Sequence, residues 1–296
     1  MQNSSMRSWH TWVLRMLTIA GIAALAACNT ARIGYNHGEA LTYWWLDRYI
    51  DVDAEQRPLV KQSIARLFDW HRQTQLRDYA RLLTRTRQLV QHPVEARELL
   101  LTYEDARKRM FDVIERALPD LADLALTLKP EQIARIERKF ASNNEKFRKE
   151  YLRGDIEERQ RIRFEKLMEQ AEYWFGDFSG EQEALIRKAS DARVLNNELW
   201  LAGRQLRQRE MIAMLRKIQA ERPSREAVMA MLREYASTMI EHSGGGEHEL
   251  FYDAARDGAA GVAAVVVNCA TPEQRVRAAQ RLQQWIDDFD ALAMRQ

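Results

Sequence analysis

The 296-residue chain contains two cysteines, six prolines and no apolar run long enough to cross a bilayer. Its longest such runs, residues 16–27 and 258–269, hold about a dozen residues each, against the roughly 20 that a spanning helix needs. The cysteines are Cys28 and Cys269, and if Cys28 is lipidated Cys269 has no partner, so that stability must come from packing. Basic residues exceed acidic ones by two, and that excess is Arg7 and Arg15. Beyond residue 27 the charges balance, so the basic stripe that nucleic-acid binding requires is missing. No glycine-rich phosphate loop, no metal-ligand spacing and no nucleophile set beside a base occurs, so neither a cofactor nor enzymatic activity is expected. Alternating strand patterns are absent too. What remains is 30% charged and 46% hydrophobic sequence with few helix breakers, which predicts an all-α globular protein.

The first thirty residues have their own layout. Arg7 and Arg15 give a positive start, residues 16–27 are apolar, and small side chains lead to Cys28. That is the pattern of a cleaved signal peptide. Leu25-Ala26-Ala27-Cys28 resembles the lipobox of bacterial lipoproteins. The resemblance implies cleavage between Ala27 and Cys28 and acylation of Cys28, whose acyl chains then hold the protein on a membrane without a transmembrane helix. Asn29 is not the aspartate associated with inner-membrane retention, so the expected address is the periplasmic face of the outer membrane. Residues 1–27 are then the signal, 28–38 a flexible tether and 39–296 the all-helical domain, with sub-halves 39–177 and 178–296.

Helical periodicity sets the expected architecture, an elongated bundle of about eight helices. A short aromatic helix over 39–50 precedes a long one reaching residue 91. Breaks are expected at Pro93, at Pro119, before Pro130 and at Gly154. Residues 181–221 read as one long helix with a seam of Leu185, Ala192, Leu199, Leu206 and Ala213. The run 258–269 reads as buried helix.

Four helix starts share one signature: Asp53-Ala54-Glu55-Gln56, Lys129-Pro130-Glu131-Gln132, Ser179-Gly180-Glu181-Gln182 and Thr271-Pro272-Glu273-Gln274. Asp, Ser or Thr accepts from an orphan backbone N–H, and the glutamine reaches back to the cap N–H. Pro130 and Pro272 suit the first helical position. Lys129 departs from the pattern because it cannot accept a hydrogen bond. The spacings between the glutamines are unequal, which rules out a solenoid repeat.

Tyr43, Trp44 and Trp45 occupy several directions round one short helix. That predicts a helix buried on most sides, the alternative being an interfacial helix among lipid headgroups or a binding surface. Trp70-His71-Arg72 reads as packed and hydrogen-bonded, not as a metal site. Asn143-Asn144 interrupts the apolar stripe of Ile136, Phe140 and Phe147, so a polar group there is expected to find an interhelical partner, with ligand contact as the other reading. His242 and His248 flank a glycine turn read as a solvated loop.

Cys28, Tyr43-Trp44-Trp45-Leu46-Asp47-Arg48-Tyr49, Trp70-His71-Arg72, Asn144-Glu145-Lys146-Phe147 and Thr271-Pro272-Glu273-Gln274 together resemble a group of uncharacterised Gram-negative lipoproteins defined only by a domain of unknown function. The helix starts at Gln132, Gln182 and Gln274 are also similar to the Leu-Thr-x-x-Gln motif of the small periplasmic chaperones Spy and CpxP. The family resemblance implies lipidation and an all-helical body and supplies no activity; with no catalytic residue set and with the chaperone-like helix starts, the expectation is a membrane-anchored, non-enzymatic protein that binds polypeptides or envelope partners. A structural subunit with one specific envelope partner is the alternative.

Overall fold

The computed structural model describes residues 30–241 and 246–294. Cys28, its cleavage partner Ala27, Asn29 and His242 lie outside the described residues. Every regular element described is helical: α1 (Thr30–Asn36), α2 (Gly38–Ile50), α3 (Gln56–Trp70 and Leu76–Leu89, joined by a π turn His71–Gln75), α4 (Ala96–Thr127), α5 (Pro130–Tyr151), α6 (Ile156–Phe175), α7 (Gly180–Asp191), α8 (Asn197–Glu221), α9 (Arg225–Glu241), α10 (Gly246–Cys269) and α11 (Pro272–Ala293). The all-helical expectation holds, but eleven helices replace about eight.

Three boundaries differ from those expected, two that add a helix and one that removes a break. The segment 28–38 is not a flexible tether throughout, because α1 is helical and Arg32 pairs with Asp288 of α11 at 2.5 Å. The seam drawn through residues 185–213 is cut between Asp191 and Asn197, and Leu185 is exposed. There the Asn196 side chain accepts from the Leu199 N–H, and this local cap ends the continuous periodicity. Conversely, Pro119 does not stop α4. A proline costs a helix one hydrogen bond, and here buried Leu118, Ala122, Leu124 and Ala125 straddle it and hold the rod together.

Two apolar cores form. One gathers Val60 and Ile64 of α3, Ala122 and Ala125 of α4, Ile133 and Ile136 of α5, Ile212 and Ile218 of α8, and Val228 of α9. The other gathers Val90 and Val94, Phe164 and Phe175 of α6, Ile186 of α7, Val262 and Val266 of α10, and Leu282 of α11. Each core draws from both sides of residue 178, with α3 and α4 reaching from one to the other. The run 258–269 is buried helix as expected, through Val262, Ala264, Val266 and Val267.

The π turn sits where α1 crosses α3. His71 Nδ1 meets the Tyr35 hydroxyl at 2.9 Å, and His71 Nε2 meets the Tyr79 hydroxyl at 3.3 Å. Extra residues in a π turn shift side-chain register and are one way to aim such a group. Burial holds His71 below its ordinary pKa and pushes Tyr35 up to about 12. The unfolded chain therefore binds a proton on His71 over a range where the folded chain does not. Its contribution to stability is complete above the ordinary histidine value near 6.5 and is lost as pH falls below it. Thermal melts from pH 7.5 to 5 should show that decline, and His71→Gln should flatten it; an unchanged slope in the variant would assign it elsewhere.

Candidate functional site

Two features stand out above ordinary helix packing: a pair of amide clasps, one buried and one half-buried, and an exposed aromatic face. The clasps arise from the four x-x-Glu-Gln helix starts, which the fold brings together two by two. Gln56 and Gln132 join α3 to α5, while Gln182 and Gln274 join α7 to α11.

Each glutamine does the same four things. Its Oε1 accepts from the backbone N–H three residues before it, at Asp53 (3.2 Å), Lys129 (2.9 Å), Ser179 (2.8 Å) and Thr271 (2.8 Å). That Oε1 also accepts from the partner's Nε2, at 2.7 and 3.1 Å in the first clasp and 2.8 and 3.3 Å in the second. Each Nε2 has a remaining proton, which goes to a backbone carbonyl five residues before the partner glutamine. Gln56 donates to Thr127 O (3.0 Å) and Gln132 to Asp51 O (3.0 Å). Gln182 donates to Cys269 O (2.7 Å) and Gln274 to Asp177 O (2.6 Å). An amide has two donors and two acceptor sites, so all are used. Glutamine fits because a carboxylate has no donor and asparagine is one methylene short of reaching both partners.

The two clasps differ in burial. Gln56 and Gln132 are each 4% exposed, while Gln182 and Gln274 are half-buried. Lys129 leaves α5 without a side-chain cap, and its ammonium instead crosses to Asp53 Oδ2 at 2.8 Å, holding that carboxyl below its usual range. Asp51 takes the left-handed conformation (φ 63°) that turns its carbonyl to Gln132. Before the second clasp Gly176 has φ 80°, and a Cβ there would collide with the Arg277 guanidinium. Sequence reading foresaw the link from each glutamine to its own cap N–H and missed the cross-pairing. The legible hint was the second half of each amide, left without a partner beside apolar neighbours.

A third amide pair lies between α5 and α8. Asn144 is 5% exposed, and its Nδ2 donates to Gln208 Oε1 at 2.7 Å with the reverse bond at 3.3 Å. Asn143 Nδ2 donates to the Tyr49 hydroxyl at 2.8 Å, tying α5 to α2. The interhelical partner expected at Asn143-Asn144 is present. Such pairs fix register, since sliding one helix would bury unpaired amides.

The aromatic face corrects an expectation. Helix α2 is not buried on most sides: Leu41, Trp44 and Trp45 are 55%, 55% and 56% exposed, and only Ile50 is fully buried. Tyr43 and Leu46 pack inward on the first core. The residues at 41, 44, 45 and 48 share one outward stripe of the helix, and Arg48 lies over the Trp44 ring at 4.7 Å. Ile33 of α1 is exposed as well. Beside the stripe, Trp45, Leu46, Leu59, Ile64, Leu67 and Leu121 line an apolar groove of about 200 Å³ between α2, α3 and α4. Asp120 closes one edge, held by Ser63 at 3.1 Å and Arg66 at 2.5 Å.

Among the described residues no group of three or more His, Cys, Asp or Glu side chains could hold a metal ion. His248 lies at the start of α10, and Cys269 is a free thiol at its end whose pKa burial raises. No described helix is long and apolar enough to cross a membrane.

Residues 48–235 match the family model of a family of unknown function (DUF6279). That span includes the first clasp and the Asn144 pair, while Leu41, Trp44, Trp45 and the second half of the other clasp fall outside it. No curated protein and no solved structure matches the chain.

Proposed function

The chain belongs to this family of unknown function, so its role has to come from its own side chains, and we propose a lipid-anchored envelope protein that binds apolar segments of other polypeptides. In this reading Cys28 carries the acyl chains, the destination is the outer membrane facing the periplasm, and the protein catalyses nothing. The observation that carries it is the outward stripe of Leu41, Trp44 and Trp45 beside an apolar groove. Bare aromatic surface on a monomer marks an interaction site more often than an isolated exposed leucine does. Three further points support the reading: the Leu25-Ala26-Ala27-Cys28 sequence, the short distance in chain from Cys28 to this stripe, and the likeness of the helix starts to those of periplasmic chaperones.

A second reading draws on Arg48 over Trp44. Tryptophan with a snorkelling arginine suits a headgroup layer, which would make the stripe a membrane contact. One experiment separates the two. The Cys28→Ser chain is assayed for suppression of the aggregation of a reduced, unfolding client, and for sedimentation with phospholipid vesicles. Client binding predicts ATP-independent suppression that falls several-fold in Trp44→Ala/Trp45→Ala. Loss of vesicle binding with suppression unchanged would assign the stripe to lipid. No suppression at stoichiometric ratios contradicts the polypeptide-binding reading.

A further inference from the structure

A cavity remote from the aromatic stripe holds an arginine that makes no ion pair, the one carboxylate in the lining, Asp253, being paired with Arg256. It lies between α4, α8 and α10, encloses about 410 Å³, and is floored by the alanines of α10 at 255, 259, 260 and 263. Leu99, Leu100 and Trp200 form apolar walls. Arg193 enters it from the break between α7 and α8, the same break that ended the expected long helix.

The charges around the cavity are not equivalent. Arg107 pairs with Glu104 at 2.7 Å, and Arg256 pairs with Asp253 at 2.9 Å and Asp257 at 3.0 Å. The Arg193 side chain makes no hydrogen bond or ion pair among the described residues, and its Nε is buried without a partner. Burial lowers its pKa, and burial first and the Arg193 charge second lower that of Arg163. Arg163 differs in its terminal nitrogens, which donate to the carbonyls of Ser190 (2.6 Å) and Val194 (3.1 Å), although its Nε is likewise buried without a partner. The stem of Arg193 passes over Gly258, where an added Cβ would stand 3.1 Å from Arg193 Cγ. A glycine at that point of α10 leaves room for the arginine to reach the cavity.

Arg193 is half-buried: its Nε is enclosed and unpartnered while its terminal nitrogens reach solvent, so the cavity offers a partly desolvated guanidinium that no described carboxylate pairs with. Beside an apolar floor and an indole wall, it has the two halves of a recognition site: one fixed charge and one greasy slot. We infer that this cavity binds a small amphiphilic carboxylate, an anionic head on a short aliphatic or aromatic body, with Arg193 holding the head and the α10 alanines with Trp200 holding the body. The guanidinium offers a forked pair of donors matched to a carboxylate. This site is independent of Cys28 and of the α2 stripe.

The test is calorimetry on the full-length chain carrying Cys28→Ser, in detergent-free buffer, with 3-phenylpropionate and octanoate as aryl and alkyl probes. Their neutral amides and plain acetate serve as comparators. One probe per chain is expected to bind at least about tenfold more tightly than its amide or acetate, since charge-assisted hydrogen bonds are the strong ones. Arg193→Met should remove that advantage while the free protein melts no lower than the parent, because a half-buried cation without an ion-pair partner has been taken away. Arg193→Lys should recover part of the affinity, and Ala259→Phe should block both probes. Which probe binds better identifies the body. Equal binding of acid and amide, equal binding of acetate, unchanged binding in Arg193→Met, or no binding of either probe up to millimolar concentration overturns the assignment.

Discussion

Gln56→Ala is expected to cost about 3 kcal/mol of folding stability, the largest loss from any single polar side chain in this fold. The side chain is 4% exposed and satisfies four groups at once. Truncation strands half of the buried Gln132 amide and the part-buried Asp53 N–H and Thr127 carbonyl, and leaves a small cavity. Buried groups left unpaired cost about 1–3 kcal/mol apiece, less whatever water can enter to satisfy them. The equivalent change in the more exposed clasp, Gln274→Ala, should cost about half as much, because solvent can replace the lost partner. A double-mutant cycle of Gln56→Ala with Gln132→Ala should be strongly non-additive, the second truncation costing much less once the first is made. Urea titrations of the Cys28→Ser chain measure all of these. A Gln56→Ala loss below about 0.5 kcal/mol, the range of ordinary surface changes, would mean the clasp is incidental.

The second large effect concerns location. Cys28→Ser is expected to abolish lipid attachment and to lower the ratio of membrane-bound to soluble protein by at least about a hundredfold. The basis is that each buried methylene of an acyl chain contributes about 0.8 kcal/mol, and that two or more chains are needed for stable anchoring. The stripe at Leu41, Trp44 and Trp45 would supply only weak residual adsorption. Fractionation of cells expressing each form reads this directly. Normal processing and unchanged membrane association in the serine variant would remove Cys28 from the account.

How far the sequence alone reaches can be followed residue by residue. Helix starts were legible because capping is local: Ser179 and Thr271 each accept from the N–H three residues on, within one turn. Asn144 was legible as a polar residue in an apolar stripe, although its partner Gln208, 64 positions away, was not. The break at Asn196 was hidden because its apolar neighbours keep a helical spacing across it. Pro119 misled in the opposite direction, since packing on both sides outweighs one missing hydrogen bond. The exposure of Trp44 and Trp45 could not be read at all. Composition shows that a helix is apolar all round, and whether other helices cover it depends on where α3, α4 and α5 lie.

Non-local pairing explains the rest. The clasps need residues 76 and 92 positions apart, and no property of one x-x-Glu-Gln stretch names its mate. The second clasp shows the limit clearly, because its Ser179 and Thr271 starts look like independent caps until the two amides meet. The Arg193 cavity assembles side chains from three helices and one loop, none of which is unusual in its own context. Residues whose partners lie within a turn were readable, and those whose partners lie across the fold were not.

The proposal of a lipid-anchored protein is tested most directly by intact-mass analysis of the chain purified from membranes of cells that produce it. The account predicts a first residue of Cys28 carrying the mass of a diacylglyceryl group and an amide-linked acyl chain, with residues 1–27 gone. A chain that begins elsewhere, or an unmodified thiol at Cys28, would contradict it.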